Sequence, residues 1–235
     1  MADLIGNPYL AGMLYGDGTC YRGKNGAYAV WVDQSERNRD ILELMVIPRL
    51  ARLGFNVHVY RYRDKRHGIW KWRALVYSKA LFMAFLRLRR NMLQYVEELD
   101  DAGLCEFTAG LFDAEGTVTD RLVIYNSDLE LLVLLKRRLS RLGVEARIYR
   151  FGPVFGLQIH RKEDMLKFAE MVPSLKLRGV PARLRNIGGR KPERVCTAPE
   201  SWPVPVPEAR VQPGQGPVNA GSNSDSLKVA KCLVG

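Results

Sequence analysis

Two acids, Asp17 and Glu115, hold matching places in two copies of one pattern, Tyr9 to Thr19 (YLAGMLYGDGT) and Phe107 to Thr117 (FTAGLFDAEGT), which lie 98 positions apart. Each acid ends a short apolar stretch that reads as a helix, and each is followed by a glycine, Gly18 or Gly116, suited to a turn out of that helix. The helix macrodipole disfavours a negative charge at a C-terminus by about 0.3–1 kcal/mol, so stability does not select these residues. Ala11, Gly12, Ala109 and Gly110 lie among large apolar residues and would let two helix backbones cross closely, offsetting the ~1 kcal/mol that a mid-helix glycine costs. Such a crossing would set the two carboxylates side by side, and like charges that close are tolerated when cations separate them. Mg2+ suits an all-oxygen site, with the carbonyls of Gly16 and Ala114 as further donors and phosphates and water completing the shell; Mn2+ or Ca2+ fits the same donors. Taken singly, either acid reads more simply as a solvated helix-end residue, and only the matched pair argues for a metal.

Other repeats show what must position the acids. Leu50 to Tyr62 (LARLGFNVHVYRY) matches Leu139 to Phe151 (LSRLGVEARIYRF), and Phe85 to Arg89 (FLRLR) matches Ser174 to Arg178 (SLKLR), both at an offset of 89. Within each copy the periodicities follow one order. Extended segments, Ala27 to Val32 and Leu122 to Tyr125, come after the motif helix. Helical patterns follow, Ile41 to Leu53 and Leu129 to Leu142, stopped by Gly54 and Gly143. Pro48 should kink or break the first of these. A hairpin comes next, Phe55 to Arg63 with Ile69 to Tyr77, or Val144 to Phe151 with Phe155 to His160, and a helix closes the unit. The expected fold class is α+β: two pseudo-symmetric α-β-β-α-β-β-α units with saddle-shaped antiparallel sheets, paired through the two motif helices. The first half with its helical linker (Arg90 to Leu104) spans about 1–103, the second 104–186. Residues 187–235 hold seven of the twelve prolines and read as an extended C-terminal segment.

The stretches Leu10 to Gly18 (LAGMLYGDG) and Thr108 to Gly116 (TAGLFDAEG) resemble the signature of LAGLIDADG homing endonucleases, present twice as in the single-chain members. The copies depart from the family pattern at Tyr15, where an acid is usual, and at Thr108, where leucine is usual; Asp113 keeps the usual acid. The resemblance implies a site-specific endonuclease in which Asp17 and Glu115 hold metal ions at the two scissile phosphates, leaving 3′ overhangs. It implies that Gln34, with Asn126 as its counterpart, positions water, and that Arg89 and Arg178 stabilise charge near the scissile phosphate. The bland alternatives are solvated amides at helix starts and surface arginines. With no splicing motif in the chain, the likeness is to the intron-encoded kind. An RNA-splicing maturase, with RNA as its partner, and a DNA-binding regulator use the same scaffold and stay open as alternatives.

Charge agrees with a polyanionic partner: 36 lysines and arginines against 25 acids give a formal +11. Strand parity selects the double-stranded DNA face. Lys71 and Arg73 alternate with Trp70 and Trp72, while His58, Tyr60 and Tyr62 share a parity, as do Arg147, Tyr149, Gln158 and His160 in the other half. Arg22, Lys24 and Arg121 fall on the first hairpins. His58, His67 and His160 lack metal-ligand spacing, and Cys20, Cys105, Cys196 and Cys232 form no CxxC pair, which points away from zinc and toward a reduced, cytoplasmic setting. No apolar run approaches the roughly 18 residues of a membrane span, so the expectation is a monomer that engages no membrane.

Overall fold

The computed structural model describes residues 6–186; the proline-rich segment 187–235 lies outside the described residues. Helix α1 (Pro8–Asp17) opens with Pro8, whose missing N–H a first turn does not need, and is capped by Asn7, which accepts the Leu10 amide. It runs directly into β1 (Gly18–Arg22), followed by β2 (Tyr28–Ser35). The turn expected at Gly18 and Gly116 is absent, because both residues are extended (φ −72° and −81°). Glycine is needed there by crowding instead: a Cβ would lie 2.2 Å from the Leu14 carbonyl at Gly18 and 2.4 Å from that of Phe112 at Gly116.

A π-helical turn (Ile41–Val46) precedes α2 (Ile47–Arg52), which places Pro48 in a first helical turn. The Ile47 amide reaches back five residues to Leu42, so the wider turn relieves the clash that proline makes with an α-helical backbone. Strands β3 (His58–Arg63) and β4 (Trp70–Tyr77) and helix α3 (Lys79–Arg90) complete the first half. The linker contains α4 (Met92–Glu98). The second half repeats the order: α5 (Asp101–Glu115), β5 (Gly116–Val118), β6 (Leu122–Asn126), α6 (Leu129–Arg141), β7 (Arg147–Phe151), β8 (Val154–Ile159) and α7 (Lys162–Met171), then a 3-10 turn (Leu175–Leu177) and α8 (Val180–Asn186). Residues 101–103 are already the first turn of α5, capped by Asp100, so that helix is longer than its motif.

The two antiparallel sheets have corresponding strand orders, β1-β2-β4-β3 and β5-β6-β8-β7. One face of each meets helices through Val30, Val32, Ala74 and Val76, or through Leu122, Ile124, Leu157 and Ile159. The other carries Trp31, Asp33, Tyr60 and Arg73, or Val123, Arg147, Tyr149 and Gln158. Arg138 on α6, almost fully buried, donates to the carbonyls of Val96, Glu97 and Leu99 at 3.1, 2.9 and 2.6 Å, satisfying the end of α4 and tying the linker to the second half. Among the described residues no helix is long and apolar enough to cross a membrane.

Candidate active site

Helices α1 and α5 cross where their side chains vanish. A Cβ on Gly12 would lie 2.1 Å from the Phe107 carbonyl, and one on Gly110 would lie 2.0 Å from that of Tyr9, so the helices touch backbone to backbone about a pseudo-twofold axis. Beyond the crossing, a Cβ on Gly16 would meet Glu115 Cγ at 3.0 Å, which puts the end of α1 against the Glu115 side chain. Asp17 and Glu115 thus leave adjacent helix ends. Burial and then the Glu115 charge push the Asp17 carboxyl up to about 7, against the smaller lowering effects of Lys176 and Gln34.

Gln34, buried on β2, donates from Nε2 to Asp17 Oδ2 at 2.5 Å. Asn126 is its counterpart in strand register, since Gly18 pairs with Val32 and Gly116 with Ile124. Its Oδ1 accepts the Asp128 amide at the start of α6. Arg89 lies over the ring of Tyr15 and donates to the Tyr15 and Gly18 carbonyls at 3.3 and 3.4 Å, flanking Asp17. In the second half the cation so placed is Lys176, whose Nζ donates to the Ala114 and Gly116 carbonyls at 3.1 and 3.0 Å, flanking Glu115. Arg178, two residues on, is exposed. The sequence reading missed Lys176, although its lysine is visible in SLKLR. Burial pulls the Lys176 ammonium down from its usual range, and Asp17, Asp113 and Glu115 oppose that fall.

This donor set fits a hard divalent cation. It holds two carboxylates in one half-buried notch, with Asp17 raised first by burial and then by Glu115, against a smaller lowering by Lys176. Among the described residues no group of three or more His, Cys, Asp or Glu could hold a metal alone, which leaves coordination positions for water and phosphate oxygens. The Ala114 carbonyl is already engaged by Lys176, while Gly16 stands at the helix contact.

On the open face of the first sheet Arg73 is surrounded. It donates to both carboxylate oxygens of Asp33 at 2.6 and 2.7 Å and to the hydroxyls of Tyr60 and Tyr62 at 3.3 and 3.4 Å, with Trp31 beneath it. His58 packs edge-on against Tyr77, and Lys71 pairs with Asp64. Arg22 has the opposite parity and lies near Tyr28, while Lys24 is exposed in the β1–β2 turn. In the second sheet Arg147, Tyr149 and Gln158 share the open face, with Gln158 buried between Val123 and Arg147. His160 follows β8 exposed, and Arg121 pairs with Asp120.

A family model described as a LAGLIDADG-like domain matches residues 103–173. The homing endonuclease I-DmoI of Desulfurococcus mucosus is 30% identical over 182 residues, covering 74% of this chain and 90% of that protein. An uncharacterised protein of Methanocaldococcus jannaschii is 27% identical over 198 residues, covering 76% and 70%. The crystal structure of I-DmoI in complex with DNA and Mn superposes with a TM-score of 0.57 at 25% identity, covering 71% of this chain and 94% of that one. The N-terminal LAGLIDADG domain of DUF199/WhiA shares the fold at a TM-score of 0.52 and 20% identity, covering 73% and 84%. With two motif helices crossing at Gly12 and Gly110, two matching sheets and this degree of identity to I-DmoI, the chain belongs to the LAGLIDADG homing endonuclease family.

Proposed function

We propose that the protein is a monomeric, site-specific DNA endonuclease of the intron-encoded kind, which needs Mg2+ and breaks both strands at a long recognition site to leave 3′ overhangs. The observation that carries this reading is the pairing of Asp17 and Glu115, one acid from each half, at adjacent helix ends with Asp17 raised to about 7. I-DmoI, the relative with 30% identity, has been crystallised with DNA and Mn or Ca, and a variant of it with its target DNA in the presence of Mg, which supports double-stranded DNA and divalent ions here. Bound at the two carboxylates, the cations would lower the pKa of an attacking water and stabilise the leaving oxygen.

The chain's own residues have separable tasks. Asp17 and Glu115 supply charge, and Gln34 holds one Asp17 oxygen by a hydrogen bond. Arg89 and Lys176 hold positive charge at the ends of α1 and α5, where each half would meet a scissile phosphate. The open sheet faces, with Tyr60, Tyr62 and Lys71 on one and Arg147, Tyr149 and Gln158 on the other, would lie along the groove, with Lys24 and Arg121 toward the phosphates.

The test is cleavage of a plasmid library of candidate insertion sites with Mg2+ or with EDTA. Site-specific breaks that need the metal, and that vanish or become nicks in Asp17→Asn and Glu115→Gln, are expected. Full cleavage by either variant would refute the assignment. Sequence-specific binding without cleavage by the unaltered protein would instead favour a regulator or maturase.

A further inference from the structure

Asp113 is fully buried at the heart of the molecule, yet its carboxylate touches neither solvent nor the metal notch. Its oxygens accept four hydrogen bonds, from Tyr9 Oη (2.8 Å), Ser174 Oγ (2.6 Å), the Leu175 amide (3.1 Å) and the Lys176 amide (3.0 Å). Three of these four hold consecutive residues of the segment that enters the 3-10 turn, and the last is the residue whose side chain flanks Glu115. A buried carboxylate is costly unless its lone pairs are filled, and here they are filled by this one segment and one hydroxyl of α1. The ammonium of Lys176 donates to the Ala114 and Gly116 carbonyls, which holds it beside Glu115.

The other half is built differently. The symmetry mates of Asp113 and Tyr9, 98 positions away, are Tyr15 and Phe107, so neither member of that carboxylate–hydroxyl pair recurs at the matching positions. Tyr15 turns outward to Asp128, and Arg89 is held by the Tyr15 and Phe85 rings and two long hydrogen bonds.

We propose that Asp113 is a positioning residue for one half only: it fixes Ser174 to Lys176 so that the Lys176 ammonium stays beside Glu115, making cleavage of one DNA strand depend on it and that of the other not. This rests on the endonuclease reading above. Single-turnover cleavage of a duplex labelled on both strands should be followed for the native protein, Asp113→Asn, Lys176→Met and the double variant. Asp113→Asn should slow one strand by about tenfold or more and leave the other within about twofold. Lys176→Met should slow the same strand, and the double variant should cut no more slowly than Lys176→Met alone. Hydrogen exchange of the Leu175 and Lys176 amides should accelerate in Asp113→Asn while that of α1 is kept.

Equal slowing of both strands, losses that multiply in the double variant, or unchanged exchange at Leu175 and Lys176 would overturn the proposal. Should Asp113→Asn fail to fold, Ser174→Ala removes one of the four bonds, and the same strand bias, smaller in size, is expected; an unaltered strand ratio would count against the clamp. A native protein that leaves every duplex intact with Mg2+ would sink the endonuclease reading itself, and the exchange measurement would still decide whether Asp113 holds the segment.

Discussion

The hydroxyl of Tyr15, on the first motif helix, donates to the carboxylate of Asp128 at 2.5 Å, joining the end of α1 to the residue that caps α6 in the other half. Burial and the Asp128 bond both hold the phenol well above its ordinary range. A hydrogen bond to a charged group contributes about 1.5–3 kcal/mol, and Asp128 also accepts the Leu131 amide, so it keeps a partner when Tyr15 is lost. Tyr15→Phe should lower Tm by several degrees, at about 2–4 °C per kcal/mol for a chain of this size, while metal-dependent cleavage persists. Calorimetry beside a cleavage assay checks this; an unchanged Tm would show that the bond adds nothing between halves.

Raising the Asp17 carboxyl from 3.8 to about 7 has a sign for stability. The folded state keeps a proton that the unfolded state has lost, so stability falls as pH rises from about 4 to 7 and stays low above that. Asp17→Asn should therefore leave the metal-free protein more stable at pH 8 and little changed at pH 4. Addition of Mg2+ at pH 8 should raise the Tm of the native protein and not that of Asp17→Asn/Glu115→Gln. A native Tm indifferent to pH between 4 and 8 would show that Asp17 is not strained by its neighbours.

The helix crossing has no room to spare. Because a Cβ on Gly12 would overlap the Phe107 carbonyl at 2.1 Å, Gly12→Ala must push α1 and α5 apart along the whole notch. A loss of at least ~3 kcal/mol is expected, at or above the upper end of ordinary overpacking, because backbone cannot rotate away. Urea unfolding measures it, and a variant as stable as the native protein would mean that the helices do not meet as described.

Arg73 and Arg147 occupy matching open faces but differ in what holds them. Arg73 is engaged by Asp33, Tyr60 and Tyr62, whereas Arg147 is exposed and makes no ion pair among the described residues. If Arg147 binds a phosphate, Arg147→Gln should reduce the slope of log affinity against log salt by about 0.9. Asp33→Asn with Arg73→Gln should leave that slope unchanged, because an internally neutralised pair releases no counterion. Filter binding across a salt series separates the two outcomes.

The duplication, the order of elements and the paired acids were legible because each depends on local signals: apolar periodicity, small residues at a crossing and acids at two helix ends. Lys176 was not. The repeat aligns Arg89 with Arg178, but Arg89 ends a three-turn helix while Ser174 to Arg178 surrounds a 3-10 turn anchored on Asp113, and the change of helix type shifts which residue faces the notch. The Asp33–Arg73 pair was hidden for a different reason. Parity put Arg73 on the correct face, but its partner follows only from the register of β2 against β4, strands 40 residues apart at this contact. Pro48 was read correctly as a disturbance, whose form, a π turn, depends on backbone that periodicity does not describe.

The unlike furnishing of the two open sheet faces carries a geometric consequence. One presents a neutralised aspartate and arginine ringed by tyrosines; the other presents Arg147 opposite Gln158, with no ion pair among the described residues, and Tyr149 opposite Gly156. A duplex laid across both would be handled by a left and a right hand. Palindromic targets would then gain nothing from their symmetry, and the molecule would sit on its site in one polarity only.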